Sequence, residues 1–227
     1  MDYPISIQTR GVILPGTLAL PERASGIVLF AHGSGSSRRS PRNRYVAGVL
    51  QSHGIATVLF DLLTSDEEVV DQQTAQLRFD IPFLAQRLAG ATEVVVEDPH
   101  AKGLPVGYFG ASTGAAAALV AAAQLRGKIA AVVSRGGRPD LAGESLSAVK
   151  VPTLLIVGGN DEEVIELNRL ALTNLASEER QLAIVEGATH LFEEPGTLEE
   201  VARLAADWFK KYLKHTAGSL GRTAERS

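Results

Sequence analysis

Ser112 stands in the segment Gly110-Ala111-Ser112-Thr113-Gly114, between the apolar run VGYF and the alanine-rich run AAAALVAAA. A serine between two glycines, after a strand and before a helix, is typical of a nucleophile elbow, a tight turn that exposes the hydroxyl at the end of the strand. A serine hydroxyl alone is a poor nucleophile, so this chemistry needs a base, an acid and an oxyanion site nearby. The alternative is a plain strand-to-helix turn whose glycines only permit close packing.

The missing acid and base follow two later strands. Asp161 comes after the apolar run Thr153 to Val157, and His190 comes after the run Gln181 to Val185. The chain order is therefore serine, aspartate, histidine, the order found when the three groups follow successive strand ends of one parallel sheet. We predict that Ser112 is the nucleophile, that His190 is the general base, and that Asp161 orients the imidazole.

Other roles for these residues stay open at this point. Asp161 is also placed to cap a helix that begins near Glu163, and a lone histidine such as His190 is also compatible with a buried structural role. Asp61 and Asp140 are rival carboxylates for the acid of the triad. The sequence favours Asp161 because it follows the strand before the one that leads to His190.

A serine- and glycine-rich loop, residues 32–37, follows the predicted strand Gly26 to Ala31. Its backbone can approach a substrate closely, and we predict that the N–H groups of Ser34 and Thr113 form the oxyanion hole. His32 opens this loop and is a possible base. Because it ends its own strand, we expect it to anchor the loop by hydrogen bonds instead.

Short apolar runs alternate with helical patterns along the chain, which predicts an α/β fold with a mostly parallel sheet of 7 or 8 strands and helices on both faces. The predicted strands are Gly11 to Leu20, Gly26 to Ala31, Thr57 to Phe60, Val106 to Phe109, Ala130 to Ser134, Thr153 to Val157 and Gln181 to Val185, with an edge strand near Ile5. The predicted helices begin at Ser40-Pro41 and end at Gly54, begin at Asp80, and cover Gly114 to Leu125, Val164 to Leu175 and Leu198 to Leu213.

The chain shows no break in composition, so we predict one domain over residues 1–215 and a flexible tail over residues 216–227. The link Pro21 to Gly26 is short enough for an antiparallel hairpin between the first long strand and the next. Only residues 136–151 separate two later strands, which leaves room for one short helix and no lid. We therefore expect an open, shallow site suited to small acyl groups.

These motifs resemble those of the α/β-hydrolase superfamily and, within it, the dienelactone hydrolase-like branch. The resemblance spans roughly residues 10 to 213 and rests on the loop from His32, the turn around Ser112, Asp161, and Gly187 with His190. It implies a hydrolase that needs no metal or organic cofactor. Dienelactone hydrolase itself has a cysteine nucleophile, so the serine here favours ordinary carboxylic ester hydrolysis through an acyl-serine intermediate over true dienelactone activity.

Arginines also follow the predicted strand ends, where ligands bind in open α/β sheets. Arg38, Arg39, Arg42 and Arg44 come after the serine- and glycine-rich loop, and Arg135 and Arg138 come after the strand Ala130 to Ser134. A guanidinium forms a bidentate pair with a carboxylate or phosphate, so we hypothesise an anionic group on the substrate. Four of these side chains are the candidates for binding it: Arg38, Arg42, Arg135 and Arg138. Alternatively, the arginines are solvated or paired with Asp61, Asp66, Glu67 and Glu68.

Composition excludes several classes of function. The net charge of −4 argues against a nucleic-acid partner, and the absence of cysteine excludes disulfides and thiolate metal sites. The five histidines have no metal-ligand spacing. The longest apolar stretch, Ala115 to Ala123, is too short for the roughly 20 residues of a membrane span. The N-terminus lacks a secretory pattern, so we expect a cytoplasmic protein with a small-molecule ester as its partner.

Two other readings remain possible on the sequence. One is a non-catalytic accessory protein that uses the arginines to bind an anion or a partner. The other is an acyltransferase or peptidase that uses the same three residues. The sequence indicates neither the oligomeric state nor the physiological ester.

Overall fold

The structure is a computed structural model that describes residues 2–214. Within this range one eight-stranded sheet has the order β1-β2-β4-β3-β5-β6-β7-β8. Its strands are β1 (Asp2–Thr9), β2 (Val12–Ala19), β3 (Ile27–Ala31), β4 (Ala56–Phe60), β5 (Val106–Ala111), β6 (Ile129–Arg135), β7 (Thr153–Gly158) and β8 (Arg180–Val185). Strands β3 to β8 are all parallel to their neighbours within this set, and β2 is antiparallel to both β1 and β4. The predicted α/β fold and the predicted strands are confirmed, with small shifts at strand ends.

Helices cover both faces of the sheet. The α-helices within residues 2–214 are α1 (Pro41–Ser52), α2 (Ser65–Thr74), α3 (Ile81–Glu97), α4 (Thr113–Gln124), α5 (Glu162–Asn174) and α6 (Thr197–Tyr212). Two further segments, Leu77–Phe79 and Pro139–Ala148, are 3₁₀ in character. Helices α1 and α6 pack on one face, and α3 and α4 pack on the other. None of the helices within the described part of the chain is long and apolar enough to span a bilayer.

The prediction of a hairpin between β2 and the next strand, β3, is wrong. β2 pairs with β1 and β4, and β4 lies between β2 and β3. The parallel crossover from β3 through α1 places β4 beside β3, and the seven residues between β2 and β3, residues 20–26, are long enough to cross the two strand spacings, about 10 Å, that separate these strands. The edge strand expected near Ile5 is β1. The predicted tail, residues 216–227, lies outside the described residues.

Helix α2 was not predicted, because its sequence SDEEVVDQQT has no apolar stripe of helical period. Polar contacts hold it instead. Thr64 and Glu67 form a reciprocal capping box at its start, and the Glu67 carboxylate also accepts a hydrogen bond of 2.5 Å from the guanidinium of Arg87. At its other end the buried Asp71 carboxylate accepts hydrogen bonds from the backbone and side chain of Arg78. The helix is therefore fixed by side chains of α3 and of the 3₁₀ turn.

The alanine run of α4 has a structural purpose. Residues 113–123 of this helix are all buried, between the sheet and helix α3. Small side chains let the helix axis approach the central strands β3 and β5, each of which is buried along its whole length. Because α4 begins at Thr113, this close packing fixes the position of Ser112 at the carboxyl end of β5.

Candidate active site

Ser112 occupies a strained turn between β5 and α4. Its backbone has φ +50° and ψ −122°, a conformation that side chains rarely adopt and that is typical of a nucleophile elbow. A Cβ atom at Gly110 would lie less than 3 Å from the Cα of Ala115, and one at Gly114 less than 3 Å from the carbonyl oxygen of Ala31. Both glycines are therefore required by the close approach of β3, β5 and α4 at this turn.

His190 and Asp161 meet at the same end of the sheet. The Nδ1 of His190 lies 2.6 Å from Oδ2 of Asp161, so Nδ1–H donates to the carboxylate and Nε2 is left for another partner. Asp161 precedes α5 but makes no side-chain capping bond to it. The rival carboxylates are engaged elsewhere, Asp61 with Arg38 and Asp140 with Arg138.

A glycine lets the histidine loop reach Asp161. A Cβ atom at Gly158, the last residue of β7, would lie less than 3 Å from the carbonyl oxygens of Ala188 and Thr189. Asn160 then ties the two loops together, because its backbone N–H donates to Ala188 O at 2.9 Å and its side chain donates to Gly187 O at 3.0 Å. These contacts place the histidine loop beside the loop that carries Asp161.

Ser112 and His190 both border the loop that follows β6. The Ser112 N–H donates to Arg135 O at 3.3 Å, and Ser112 O accepts from the N–H of Arg138 at 3.2 Å. On the other side of this loop, a Cβ atom at Gly136 would lie 3.0 Å from His190 O and 3.6 Å from its Cε1. The Ser112 hydroxyl makes no hydrogen bond to His190 or to another described residue. In free enzymes the hydrogen bond between a nucleophile and its base is often long, and it tightens when the substrate binds.

The two predicted oxyanion donors lie on either side of Ser112. Thr113 is the first residue of α4, and the loop that carries Ser34 approaches the turn so closely that a Cβ atom at Gly33 would lie 3.0 Å from Ser112 Cβ. Neither the Ser34 N–H nor the Thr113 N–H donates to another group within the described residues. Both donors are therefore available to an incoming oxygen.

His32 anchors the loop of residues 32–37 by hydrogen bonds and does not have a free ring nitrogen for proton transfer. Its Nε2 accepts the N–H of Leu62 at 3.0 Å, which requires the proton on Nδ1, and Nδ1–H donates to Gly33 O at 3.0 Å. Burial lowers the pKa of the His32 imidazole below its usual 6.5, against the smaller raising effects of the Gly33 hydrogen bond, Asp61 and Glu68. Both nitrogens are occupied, as expected for an anchoring residue.

This depressed pKa makes stability depend on pH. Below pH 6.5 the unfolded chain binds a proton at His32 that the folded chain resists, so the free energy of unfolding falls as the pH falls. We expect a steeper loss between pH 7 and pH 5 for the wild type than for His32→Gln, measured by urea unfolding. His53→Gln removes an exposed histidine and should keep the wild-type slope. Equal slopes for the wild type and His32→Gln would contradict a buried, neutral His32.

Comparison with known proteins decides the family. The sequence profile described as an alpha/beta hydrolase domain matches residues 24–207, which include the Ser112 turn, Asp161 and His190. The chain belongs to the α/β-hydrolase family. A crystal structure of dienelactone hydrolase from Anabaena variabilis ATCC 29413 is 57% identical to it, with a TM-score of 0.92, and the match covers 94% of this hydrolase chain and 99% of that one.

More distant structures share the fold of this hydrolase. Est1E from Butyrivibrio proteoclasticus is 15% identical with a TM-score of 0.76, over 92% of this chain and 98% of that one. The Pyrococcus furiosus esterase Pf2001 is 18% identical with a TM-score of 0.75, over 94% and 93%. Two Mycobacterium tuberculosis proteins, named provisionally as phosphoribosyl transferases, are 58% identical over 93% of this chain and 47% of their own length. The hydrolase chain thus spans about half the length of these curated relatives.

The four candidate substrate arginines of the hydrolase have different surroundings. The backbone N–H of Arg38 donates to Asp61 at 2.7 Å, and its guanidinium pairs with the same carboxylate. Arg138 forms a bidentate pair with Asp140 at 2.9 and 2.7 Å, and this hydrogen bonding raises its pKa. These two side chains match the alternative of internal pairing, although Asp140 was not among the partners expected.

Arg42 and Arg135 are less fully paired. Arg42 contacts the exposed Glu193 at 2.9 Å, but its Nε is buried and has no hydrogen-bond partner among residues 2–214. Arg135 is buried, has no ion pair within the described residues, and reaches Asn43 Oδ1 only at 3.4 Å. Burial, with a smaller contribution from Arg42, lowers the pKa of Arg135 to about 10, so the guanidinium remains charged at neutral pH.

Several supporting residues of the hydrolase site were missed from the sequence. Gly158 and Asn160 position the histidine loop, and Glu194 closes it by accepting hydrogen bonds from the N–H and hydroxyl of Thr189 at 3.1 and 2.6 Å. Phe192 has φ +55° and packs under the Arg135 guanidinium at 5.8 Å. The paired glycines 158 and 159 at the end of a buried strand were a visible signal of close backbone approach.

Proposed function

We propose that the chain is a serine hydrolase that cleaves carboxylic esters of small acyl groups through an acyl-serine intermediate. One observation carries the proposal: the His190–Asp161 hydrogen bond lies at the same end of the sheet as the strained Ser112 turn. The side chain of His190 is 37% exposed, so a substrate can reach its free nitrogen. The Pro139–Ala148 connection is 3₁₀ in character, consistent with an open site for small substrates.

The proposed reaction has two halves. In the first, His190 Nε2 takes the hydroxyl proton as Ser112 Oγ attacks the ester carbonyl, and Asp161 stabilises the imidazolium that forms. The N–H groups of Ser34 and Thr113 bind the carbonyl oxygen as it becomes negative, and the proton then passes to the departing alcohol. In the second half, His190 removes a proton from water, the hydroxide attacks the acyl-serine, and the proton returns to Ser112 as the acid is released.

The bond class is supported by the similar proteins. A lactone is a cyclic ester, so the name of the 57% identical Anabaena structure points to the same reaction as the esterase names of the distant neighbours. We further propose that the substrate carries an anionic group. Arg135, with Arg42 beside it, is the best candidate to bind that group because it has no carboxylate partner within the described residues.

The names and lengths of the two curated relatives support a proposal about the partner of this chain. Their name states transfer of a phosphoribosyl group, and about half of their length lies outside the region that this chain matches. We propose that the transferase activity belongs to that other half and that the present chain corresponds to a hydrolase unit working beside it. Expressing the two halves of such a relative separately, and assaying each for ester hydrolysis, tests this division.

The Ser112→Ala variant provides the central test. The wild type should hydrolyse short p-nitrophenyl esters and react with a fluorophosphonate probe, and Ser112→Ala should do neither, because the attacking oxygen is gone. Ser147→Ala removes an exposed serine hydroxyl that donates to Glu144 O and should behave like the wild type. Probe labelling that persists in Ser112→Ala would assign the nucleophile elsewhere. A wild type that neither labels nor turns over esters would favour the non-catalytic accessory role.

A further inference from the structure

A second concavity lies on the face of the sheet beside α1. It has a volume of about 450 Å³ and shares no residue with the triad or the two oxyanion donors. We call it the arginine trough. The residues that matter for its chemistry are Arg38, Arg39, Arg44, Gln51, Thr17 and Thr57.

The trough follows from the order of the strands. In the antiparallel pair of β2 and β4, Thr17 lies opposite Leu59 and Ala19 lies opposite Thr57, so these side chains share one face. Helix α1 packs against β4 and α6 on that face. A concavity is therefore left between this face of β2 and the side of α1. The loop before α1 contributes Arg38 and Arg39 to its lining.

The trough has an excess of positive charge. Arg38 is neutralised by Asp61, but the guanidiniums of Arg39 and Arg44 make no ion pair or hydrogen bond with any residue in the range 2–214. One carboxylate, that of Asp2, also lines the trough. Two unpaired guanidiniums that project into one concavity favour a ligand with a compact negative charge, because each can donate a forked pair of hydrogen bonds.

Helix α1 leaves open space beside the guanidinium-bearing Arg44. Arg44, Gly48 and Gln51 follow one another at helical spacing on one side of α1. A Cβ atom at Gly48 would meet no atom within 4 Å, so packing does not require glycine there, and glycine inside a helix is less stable than alanine. The Gln51 amide donates to Oγ1 of the buried Thr57 at 2.8 Å, which leaves the Gln51 amide oxygen for a ligand.

We propose that the arginine trough binds a phosphorylated polyol, such as a pentose phosphate. Arg39 and Arg44 hold the phosphate, and the polar groups of Gln51 and Thr17 bond the hydroxyls. The lining residues in the described part of the chain include no aromatic ring on which a base could stack, so a sugar phosphate fits better than a nucleotide. The site does not depend on the proposed ester hydrolysis.

Calorimetric titration with ribose 5-phosphate tests the proposal directly, without any measurement of turnover. The wild type should bind with a Kd below about 1 mM, and Arg44→Ala and Arg39→Ala should each weaken binding by about tenfold or more. Arg126→Ala removes the same charge from an exposed position outside the trough and should bind like the wild type. Ribose should not bind, and inorganic phosphate should bind more weakly than the sugar phosphate.

Four results would overturn this assignment. No heat of binding for the wild type removes the site, and an equal loss in Arg126→Ala reduces it to a general charge effect. Equal affinity for inorganic phosphate removes the polyol contacts. Adenosine monophosphate binding more tightly than ribose 5-phosphate would contradict the choice of a sugar phosphate over a nucleotide. Because ester turnover is not measured, each result leaves the Ser112 proposal to its own test.

Discussion

Replacing Asp161 by asparagine should lower kcat for a short-chain ester by about 10³- to 10⁴-fold and change KM by less than about threefold. The carboxylate accepts the Nδ1 proton of His190 at 2.6 Å and so holds Nε2 free to take the proton from Ser112. An amide of the same shape can present its NH₂ group to Nδ1, which would leave the proton on Nε2, the wrong nitrogen for a base. Asparagine also gives no charge to stabilise the imidazolium.

A matched variant separates this effect from the loss of any acidic side chain. Asp140→Asn removes a carboxylate that pairs with Arg138 and was a rival candidate for the acid, and it should lower kcat by less than about threefold. Proton NMR adds a readout independent of turnover, because the low-field resonance of a carboxylate-bonded Nδ1–H should be present in the wild type and lost in Asp161→Asn. If Asp161→Asn retains kcat within tenfold, or Asp140→Asn loses it instead, the assignment of the acid is wrong.

The parallel layers of this fold could be read from the sequence because their signals are local. Apolar runs such as residues 153–157 and the proline after Ser40 mark strands and helix starts directly. The position of β4 between β2 and β3 could not be read, since it depends on which neighbours each strand chooses across the sheet. Helix α2 was missed for a related reason: its stability comes from Arg87 and Arg78, which lie beyond it in the chain.

In the candidate site too, some features could be predicted from the sequence and others depend on side-chain contacts. Residue types and chain order predict Asp161 as the acid rather than Asp61 or Asp140, and the structure places Asp161 against His190. The arginines show the limit of such reasoning, because position after a strand does not reveal pairing. Arg138 and Arg135 are three residues apart, yet Arg138 is paired with Asp140, whereas Arg135 is buried and pairs with no carboxylate of the described residues. Only side-chain geometry separates them.

The Gly114→Ala substitution should destabilise the protein by about 3 kcal/mol or more and abolish ester turnover. Its added Cβ would lie less than 3 Å from the carbonyl oxygens of Ala31 and His32, which are backbone atoms of a central strand end and cannot move aside cheaply. Relief requires α4 to move away from β3, which also shifts Thr113 and strains the Ser112 turn further. Urea unfolding measures the stability change, and fluorophosphonate labelling of the folded fraction measures the effect on Ser112.

Gly48→Ala is the matched control, because it makes the same substitution in a helix where the added Cβ would meet no atom within 4 Å. It should leave turnover unchanged and stabilise the protein by about 0.5–1 kcal/mol, the usual gain of alanine over glycine inside a helix. The contrast isolates the close approach of α4 to β3 from the general effect of replacing glycine. A Gly114→Ala protein as stable as Gly48→Ala would show that β3 and α4 tolerate a wider spacing, and full labelling of such a protein would show that the Ser112 turn does not depend on that spacing.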